Sequence, residues 1–193
     1  MNKQVHGQYG ARSNPREEAD WYPSPEDVMN ELLENTDIPV TGPVLDAGAG
    51  TGILMQPLLD AGIEVAGVEL HDRGAPAHLN IDTGIDFLEI PLVMPGTGEI
   101  VMNPPFKQAD DFVRHALGLL EPGGRVRALM RLTWMAAKRR ADLLPQLEEV
   151  LIMGRLKMLP AGRQDLDKGH NGSVDFAFFT FTKGHCGSSI KRV

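Results

Sequence analysis

Cysteine is almost missing from this sequence: Cys186 is the only one in 193 residues. One thiol cannot close an internal disulfide, and nothing around it has metal-ligand spacing. A reducing, intracellular setting without a bound metal is expected. Long apolar runs are also missing. No window approaches the about 18 uncharged apolar residues that a membrane-crossing helix needs. The first twenty residues, MNKQVHGQYGARSNPREEAD, hold no apolar core, so no secretory leader is expected there and the expected location is the cytoplasm. Internal repeats and low-complexity tracts are not found. Basic charge is scarce, with 19 Lys and Arg against 26 Asp and Glu and a net charge of −7. That argues against a broad nucleic-acid surface, because phosphate contacts need cations. Aromatics make up only 6% of the chain, so four Phe within 176-FAFFTFT-182 stand out.

What remains is ordinary for one soluble domain with a real core: 42% apolar and 23% charged residues. Residues 1–20 are polar and rich in breakers and predict a loose arm; 21–184 form the domain, and 185–193 a tail. The segment 23-PSPEDVMNELLE-34 predicts a helix. Ser24 is placed to cap it, Pro25 suits its first position, and Val28, Leu32 and Leu33 give it an apolar face. Strands are predicted at Val44–Asp46, Ile63–Val68, weakly at Ala77–Ile81, then at Ile100–Met102 and Val126–Met130. Helices or helical turns are predicted at Ile53–Asp60, Ile85–Glu89, Ala109–Leu120 and Ala136–Leu144. Two last strands, Glu149–Gly154 and Val174–Thr182, are joined by a Gly- and Pro-containing loop over 155–173 and should pair antiparallel. The second reads as half-buried. Alternating strands and helices predict an α/β fold: a Rossmann-like doubly wound sheet, mostly parallel, with an antiparallel C-terminal edge hairpin. Such sheets bind ligands at the carboxyl ends of their strands.

Four stretches fall at those ends. In 44-VLDAGAGTGIL-54, Gly48, Gly50 and Gly52 fill a strand-to-helix turn, where missing Cβ atoms let backbone approach a ligand. Their G-x-G-x-G spacing differs from the G-x-G-x-x-G of dinucleotide binders. Asp46 stands just before, where a carboxylate can orient the turn or meet a ligand ammonium. Glu69 ends the next strand about twenty residues past the first glycine, where a carboxylate can accept from two ribose hydroxyls. Asp86 and Phe87 in 84-GIDFLE-89 can supply an acceptor and an apolar wall for an adenine, a reading favoured over a helix-start acid beside a core Phe. Last comes 101-VMNPPF-106. Asn103 offers an amide oxygen, Pro104 and Pro105 stiffen the turn, and Phe106 offers a π-face. Together they suit a planar group bearing –NH2.

A basic stretch stands apart. Arg125, Arg127, Arg131, Lys138, Arg139 and Arg140 occur with no acid between 125 and 141. It is either a solvated face or a local phosphate-contacting patch. Trp134 within it either packs or stacks on a nucleotide, with packing favoured. His170 and Asn171 fall in the last loop, near the expected substrate mouth, with a solvated loop the favoured explanation.

The order D-x-G-x-G-x-G, acidic strand end, then N-P-P-F after the fourth strand resembles the class I S-adenosylmethionine-dependent methyltransferases. Within them it is similar to the amino-methyltransferases with an N/D/S-P-P-F/Y/W motif. The segments 21-WYPSP-25, 129-LMRLTWMAAKRR-140 and 174-VDFAFFTF-181 resemble those of small phage- or prophage-type adenine-specific DNA methyltransferases. The resemblance spans roughly residues 21–183. It implies S-adenosyl-L-methionine as cofactor, held by Tyr22, Pro23, Ser24, Asp46, Gly48, Gly50, Glu69, Asp86, Phe87 and Asn103. It implies Asn103, Pro104, Pro105 and Phe106 as the catalytic set. DNA would be met through Arg131, Lys138, Arg139 and Arg140. No insertion of target-recognition size is present, so a partner protein is one source of sequence recognition. Methylation of an RNA base amino group, of a protein glutamine amide, or a cofactor-binding module without catalysis are the other functions open at this point.

Overall fold

A computed structural model describes residues 22–156, 158 and 174–187. Helix α1 spans Val28–Asn35 and buries Val28, Met29 and Leu32. Asp27, not Ser24, occupies the N-cap position, and the N–H of Val28 donates to the Pro25 carbonyl at 3.3 Å to close the turn ahead of it. Seven strands then form one sheet: β1 Val44–Ala47, β2 Val65–Glu69, β3 Ile81–Thr83, β4 Glu99–Met102, β5 Arg125–Arg131, β6 Leu147–Arg155 and β7 Asp175–Thr182. The order across the sheet is β3-β2-β1-β4-β5-β7-β6. Neighbours from β3 to β5 pair parallel, and β7 pairs antiparallel with both β5 and β6. Helix α2 (Met55–Asp60) follows β1, and α3 (Ala109–Leu119) follows β4. Gly62, at φ +76, ends α2: its N–H donates to the Leu59 carbonyl and that of Ile63 to the Leu58 carbonyl. A residue of positive φ with these crossed bonds is how a glycine closes a helix.

The alternation of side chains along each strand divides the core into two layers. Ile100, Met102, Val126, Ala128, Met130, Phe179 and Phe181 face the layer of α3. Val101, Leu129, Phe176 and Phe178 face the layer of α1 and α2. Each of these aromatics, once buried, stabilises the fold by about 1.5–3 kcal/mol. The lone glycine in β2, Gly67, has a packing reason: a Cβ there would come within 2.9 Å of Ala49 Cβ and Met55 Sδ. It lets α2 and its turn lie against the sheet.

The fold class expected from the sequence is the one found, with four differences of detail. β7 is not half-buried at an edge; it lies between β5 and β6 and six of its eight residues, Phe176 to Phe181, are buried. β3 begins at Ile81, where the weak strand expected over 77–81 would end. The expected helix over 136–144 is instead three 3-10 turns, Leu132–Ala136, Lys138–Arg140 and Leu144–Gln146. Here side chains anchored to α3 set the path. Ser24 is not a cap because its hydroxyl faces Asn103, as described next. The loop over 155–173, the arm, most of the tail, His170 and Asn171 lie largely or wholly outside the described residues.

Candidate active site

The turn after β1 is built on positive φ at Gly48 (+77) and Gly52 (+81). A Cβ on Gly52 would crowd the ends of the Leu79 and Ile81 side chains at 2.2 and 3.2 Å and would be strained at this positive φ. A Cβ on Gly48 would meet nothing nearer than Phe112 at 3.9 Å, because it would project into a cleft. The N–H groups of Gly48 and Ala49 both donate to the Val68 carbonyl, at 2.9 and 3.0 Å. Glu69, at the end of β2, holds the next part of the turn: Oε2 accepts from the Gly50 N–H at 2.9 Å and Oε1 from the His71 N–H at 3.1 Å. Arg73 Nε lies 3.7 Å from Oε1. A carboxylate has about four acceptor positions, so Glu69 retains capacity toward the cleft that it lines.

That cleft has an open volume of about 750 Å³. Its walls include Tyr22, Gly48, Glu69, Asp86, Phe87 and the whole run Asn103–Phe106. A smaller compartment of about 320 Å³ lies beside it, lined by Tyr22, Pro23, Ser24, Gly48, Gly50 and Asn103 among others. Residues from five separate stretches thus meet at the carboxyl ends of the parallel strands. Asp86 Oδ1 accepts from the Leu88 N–H at 2.9 Å and starts the 3-10 turn Phe87–Glu89. Phe87 packs against Phe112 and His115, each ring centroid 5.1 Å away.

Asp46 is placed differently. It sits in β1 between Gly67 and Val101, is fully buried, and lies behind the cleft rather than on its wall. Neither carboxyl oxygen has a hydrogen-bond partner among the described residues. Burial, with the Glu69 charge adding to it, pushes its pKa up to about 8.

Asn103 is held in a defined orientation. Its Nδ2 donates to the Tyr22 carbonyl at 3.0 Å and to Ser24 Oγ at 3.1 Å. A carbonyl can only accept, so the nitrogen must face Tyr22 and Oδ1 is left for another partner. Pro104 is buried; the Pro105 carbonyl accepts from the Gln108 N–H at 2.9 Å and bends the chain into α3. Phe106 stacks with Tyr22 (5.5 Å between centroids, 23° between planes), tilts against Phe176 at 6.0 Å, and carries the Arg131 guanidinium 4.5 Å from its centroid. The Ser24–Asn103 pairing joins residues 79 apart, and no local sequence signal points to it.

The basic stretch divides. Arg127 is fully buried and pairs with Glu99 at 2.7 Å, and Arg125 reaches the same carboxylate at 3.5 Å, at the end of the sheet away from the cleft. Asp110 in α3 accepts from Trp134 Nε1 (2.8 Å), Arg140 Nε (2.6 Å) and Arg139 Nε (2.6 Å). Arg140 also donates to the Trp134 carbonyl and lies over the indole ring at 4.7 Å. Burial raises the Asp110 pKa, but these hydrogen bonds outweigh it and hold the carboxyl below the usual range. Trp134 therefore packs, between Phe179, Phe181 and Arg140. Arg140 is buried and committed to Asp110, which corrects its assignment to a nucleic-acid surface; Arg139 is engaged by the same carboxylate. Arg131 and Lys138 are exposed and have no acidic partner among the described residues.

No family model and no curated protein matches this chain. Solved structures do. TrmN from Thermus thermophilus superposes with a TM-score of 0.58 at 24% identity, over 82% of this chain and 48% of that one, so this chain spans about half its length. An RNA methyltransferase from Salinibacter ruber, bound to S-adenosyl-L-homocysteine, gives 0.54 at 13% identity over 88% and 96% of the two chains. Geranyl diphosphate C-methyltransferase from Streptomyces coelicolor A3(2), in complex with Mg2+, geranyl diphosphate and S-adenosyl-L-homocysteine, gives 0.52 at 14% identity over 80% and 78%. The likeness is one of fold: the chain has the Rossmann-like architecture of these methyltransferases. Among the described residues no group of His, Cys, Asp or Glu could hold a metal ion, and no helix is long and apolar enough to cross a membrane.

Proposed function

We propose that this chain transfers a methyl group from S-adenosylmethionine to an exocyclic amino nitrogen, with adenine in DNA as the first candidate acceptor. The observation that carries this is the orientation of Asn103. With Nδ2 held by Tyr22 and Ser24, Oδ1 is free to accept from an incoming –NH2. No hydrogen bond reaches the Pro104 carbonyl among the described residues, so a second acceptor stands one residue away.

The cleft fits the donor. Gly48 leaves room where any Cβ would project, Glu69 would accept from ribose hydroxyls, and Ile85 and Phe87 would wall the adenine beside Asp86. The carboxylates suit a donor that carries two positive charges, on sulfonium and ammonium. When bound, the donor supplies an electrophilic methyl group. Tyr22, Pro23 and Ser24 would cover it, with Gly48 and Gly50 beneath. The chain's own contribution to catalysis lies at the acceptor. An exocyclic nitrogen is a poor nucleophile because its lone pair is conjugated with the ring. Asn103 Oδ1 and the Pro104 carbonyl would each take one N–H and favour the pyramidal nitrogen. These bonds strengthen as the nitrogen becomes cationic, so they act on the transition state more than on the ground state. No strong base is needed; the surplus proton leaves to solvent. In duplex DNA the base would first have to leave the stack.

A second acceptor, the amino group of an RNA base, is favoured by the likeness to an RNA methyltransferase of nearly equal length. Incubation with tritiated S-adenosylmethionine and separate DNA, RNA and protein acceptors, followed by digestion and identification of the labelled nucleoside or residue, tests both. Label in N6-methyladenine of DNA is expected; label on carbon or on a ring nitrogen would overturn the amino-nitrogen assignment.

A further inference from the structure

The cations around the cleft differ by side in how far they are compensated: Arg73, on the β2 side, lies 3.7 Å from Glu69. In the order β3-β2-β1-β4-β5, the acids Glu69 and Asp86 hang from the β2 and β3 side. The β4 and β5 side carries cations: Lys107 directly follows Phe106, and Arg131 ends β5 over the Phe106 ring. Both are exposed, and neither has an acidic partner among the described residues. This is unusual for this chain. Of the other five basic residues between 125 and 140, four are committed to Glu99 or Asp110. In a protein of net charge −7, cations left uncompensated at one cleft rim create a local positive field.

We propose that Arg131, with Lys107, anchors a phosphate of the acceptor, and that the acceptor is a nucleotide unit of a nucleic-acid strand rather than a carboxamide of a protein. This rests on the acceptor assignment above. The guanidinium has two successive roles. In the free protein it lies against Phe106 and keeps the half-buried ring covered. When a planar base takes its place on the ring, Arg131 moves to the phosphate that enters with that base. An arginine serves both because its flat face stacks and its edge donates in a fork suited to a phosphate. A protein amide would bring neither a base to displace it nor an anion to receive it.

The test measures binding of a fluorescein-labelled, adenine-containing oligonucleotide by anisotropy across a salt series, with S-adenosylhomocysteine present, for the wild type, Arg131→Gln and Lys107→Gln. DNA and RNA strands of one sequence are separate arms; tighter binding of either supports the anchor and names its source. Arg131→Gln is expected to weaken binding about tenfold and to flatten the log–log salt dependence by about 0.7–0.9, the value of one phosphate contact. Lys107→Gln should act in the same direction and less. Phosphate-free deoxyadenosine, titrated by calorimetry, should bind wild type and Arg131→Gln within a factor of about two. Wild-type salt slopes in both variants, or equal losses for the oligonucleotide and deoxyadenosine, would overturn the anchor. Calorimetry of the wild type with S-adenosylhomocysteine reports separately on the donor: its failure to bind would sink the methyltransferase assignment while the salt slopes still judge Arg131.

Discussion

Two buried aspartates have opposite surroundings. Asp110, at the start of α3, is buried and accepts three N–H groups, from Trp134, Arg139 and Arg140. Asp46, in β1, is buried and accepts none among the described residues. The hydrogen bonds hold the first carboxyl below its usual pKa; burial pushes the second up to about 8. A carboxylate saturated with donors is a brace: its partners fix the path of 132–140 against α3. One left without donors beneath a glycine turn does not stabilise the free protein. It belongs to the cleft region, where other groups are also left with spare capacity: Asn103 Oδ1, the Pro104 carbonyl and Glu69.

The contrast should be largest in the pH dependence of stability. For Asp46 the folded pKa lies above that of the unfolded chain. Between about pH 4 and 8 the unfolded state releases the proton that the folded state keeps. Stability therefore falls as pH rises through that window, by up to about 1.4 kcal/mol per unit, and levels off above it. Asp110 has the opposite sign: its contribution is present above the unfolded pKa near 4 and is lost as pH falls below that. Urea denaturation of wild type and Asp46→Asn from pH 5 to 8 is expected to show the wild type losing ground steadily relative to the variant. Parallel curves would mean that Asp46 is solvated or paired, and would remove half of the contrast.

The acceptor side of the cleft is expected to affect rate more than stability, although Asn103→Ala also gives up the half-buried bonds to Tyr22 and Ser24. Asn103→Ala should lower kcat by about 10²–10³ with little change in the KM for the donor, since one contact that strengthens in the transition state is lost. Single-turnover assays at saturating donor, with a thermal melt of the same sample, read both quantities. Methylation at the parent rate would reduce 101-VMNPPF-106 to a stiff turn.

The brace should do the reverse. Asp110→Ala leaves Arg140 buried without its partner beside Trp134, and should cost about 3 kcal/mol of stability, the lower end for breaking a buried ion pair. Affinity for S-adenosylhomocysteine should not change. A normal denaturation midpoint would show that the cluster is ornamental.

These two regions also differ in how far the sequence announces them. The glycine turn, the acid ending β2 and the Asn-Pro-Pro-Phe run are local motifs. Each needs special backbone freedom or stiffness at fixed offsets, and such needs are written in consecutive residues. The doubly wound sheet is legible for the same reason, in strands alternating with helices. The brace is not. Asp110 is 24 to 30 residues from its donors, and nothing in 129-LMRLTWMAAKRR-140 shows that Arg139 and Arg140 are already neutralised. The same limit hides the burial of β7, which depends on its insertion between β5 and β6. It hides Ser24 too, whose hydroxyl serves Asn103 in place of a helix end.

The smallest of these effects tests whether Glu69 belongs to the brace type or the cleft type, because its geometry has elements of both. It accepts from Gly50 and His71, as a brace would, yet it lines the cleft. A carboxylate using two of its acceptor positions can still take ribose hydroxyls with the others. If both roles hold, Glu69→Ala should weaken S-adenosylhomocysteine binding by about 1.5–3 kcal/mol, the range for hydrogen bonds to a charged group. Glu69→Gln should recover part of that, because one amide oxygen still accepts. The two roles separate by ligand: truncating the ribose to its 2′,3′-dideoxy form should abolish the difference between wild type and Glu69→Gln if the hydroxyls are what Glu69 binds. If the difference persists with the dideoxy ligand, Glu69 acts only by shaping the turn at Gly50, and the ribose must find its partner elsewhere on the cleft wall.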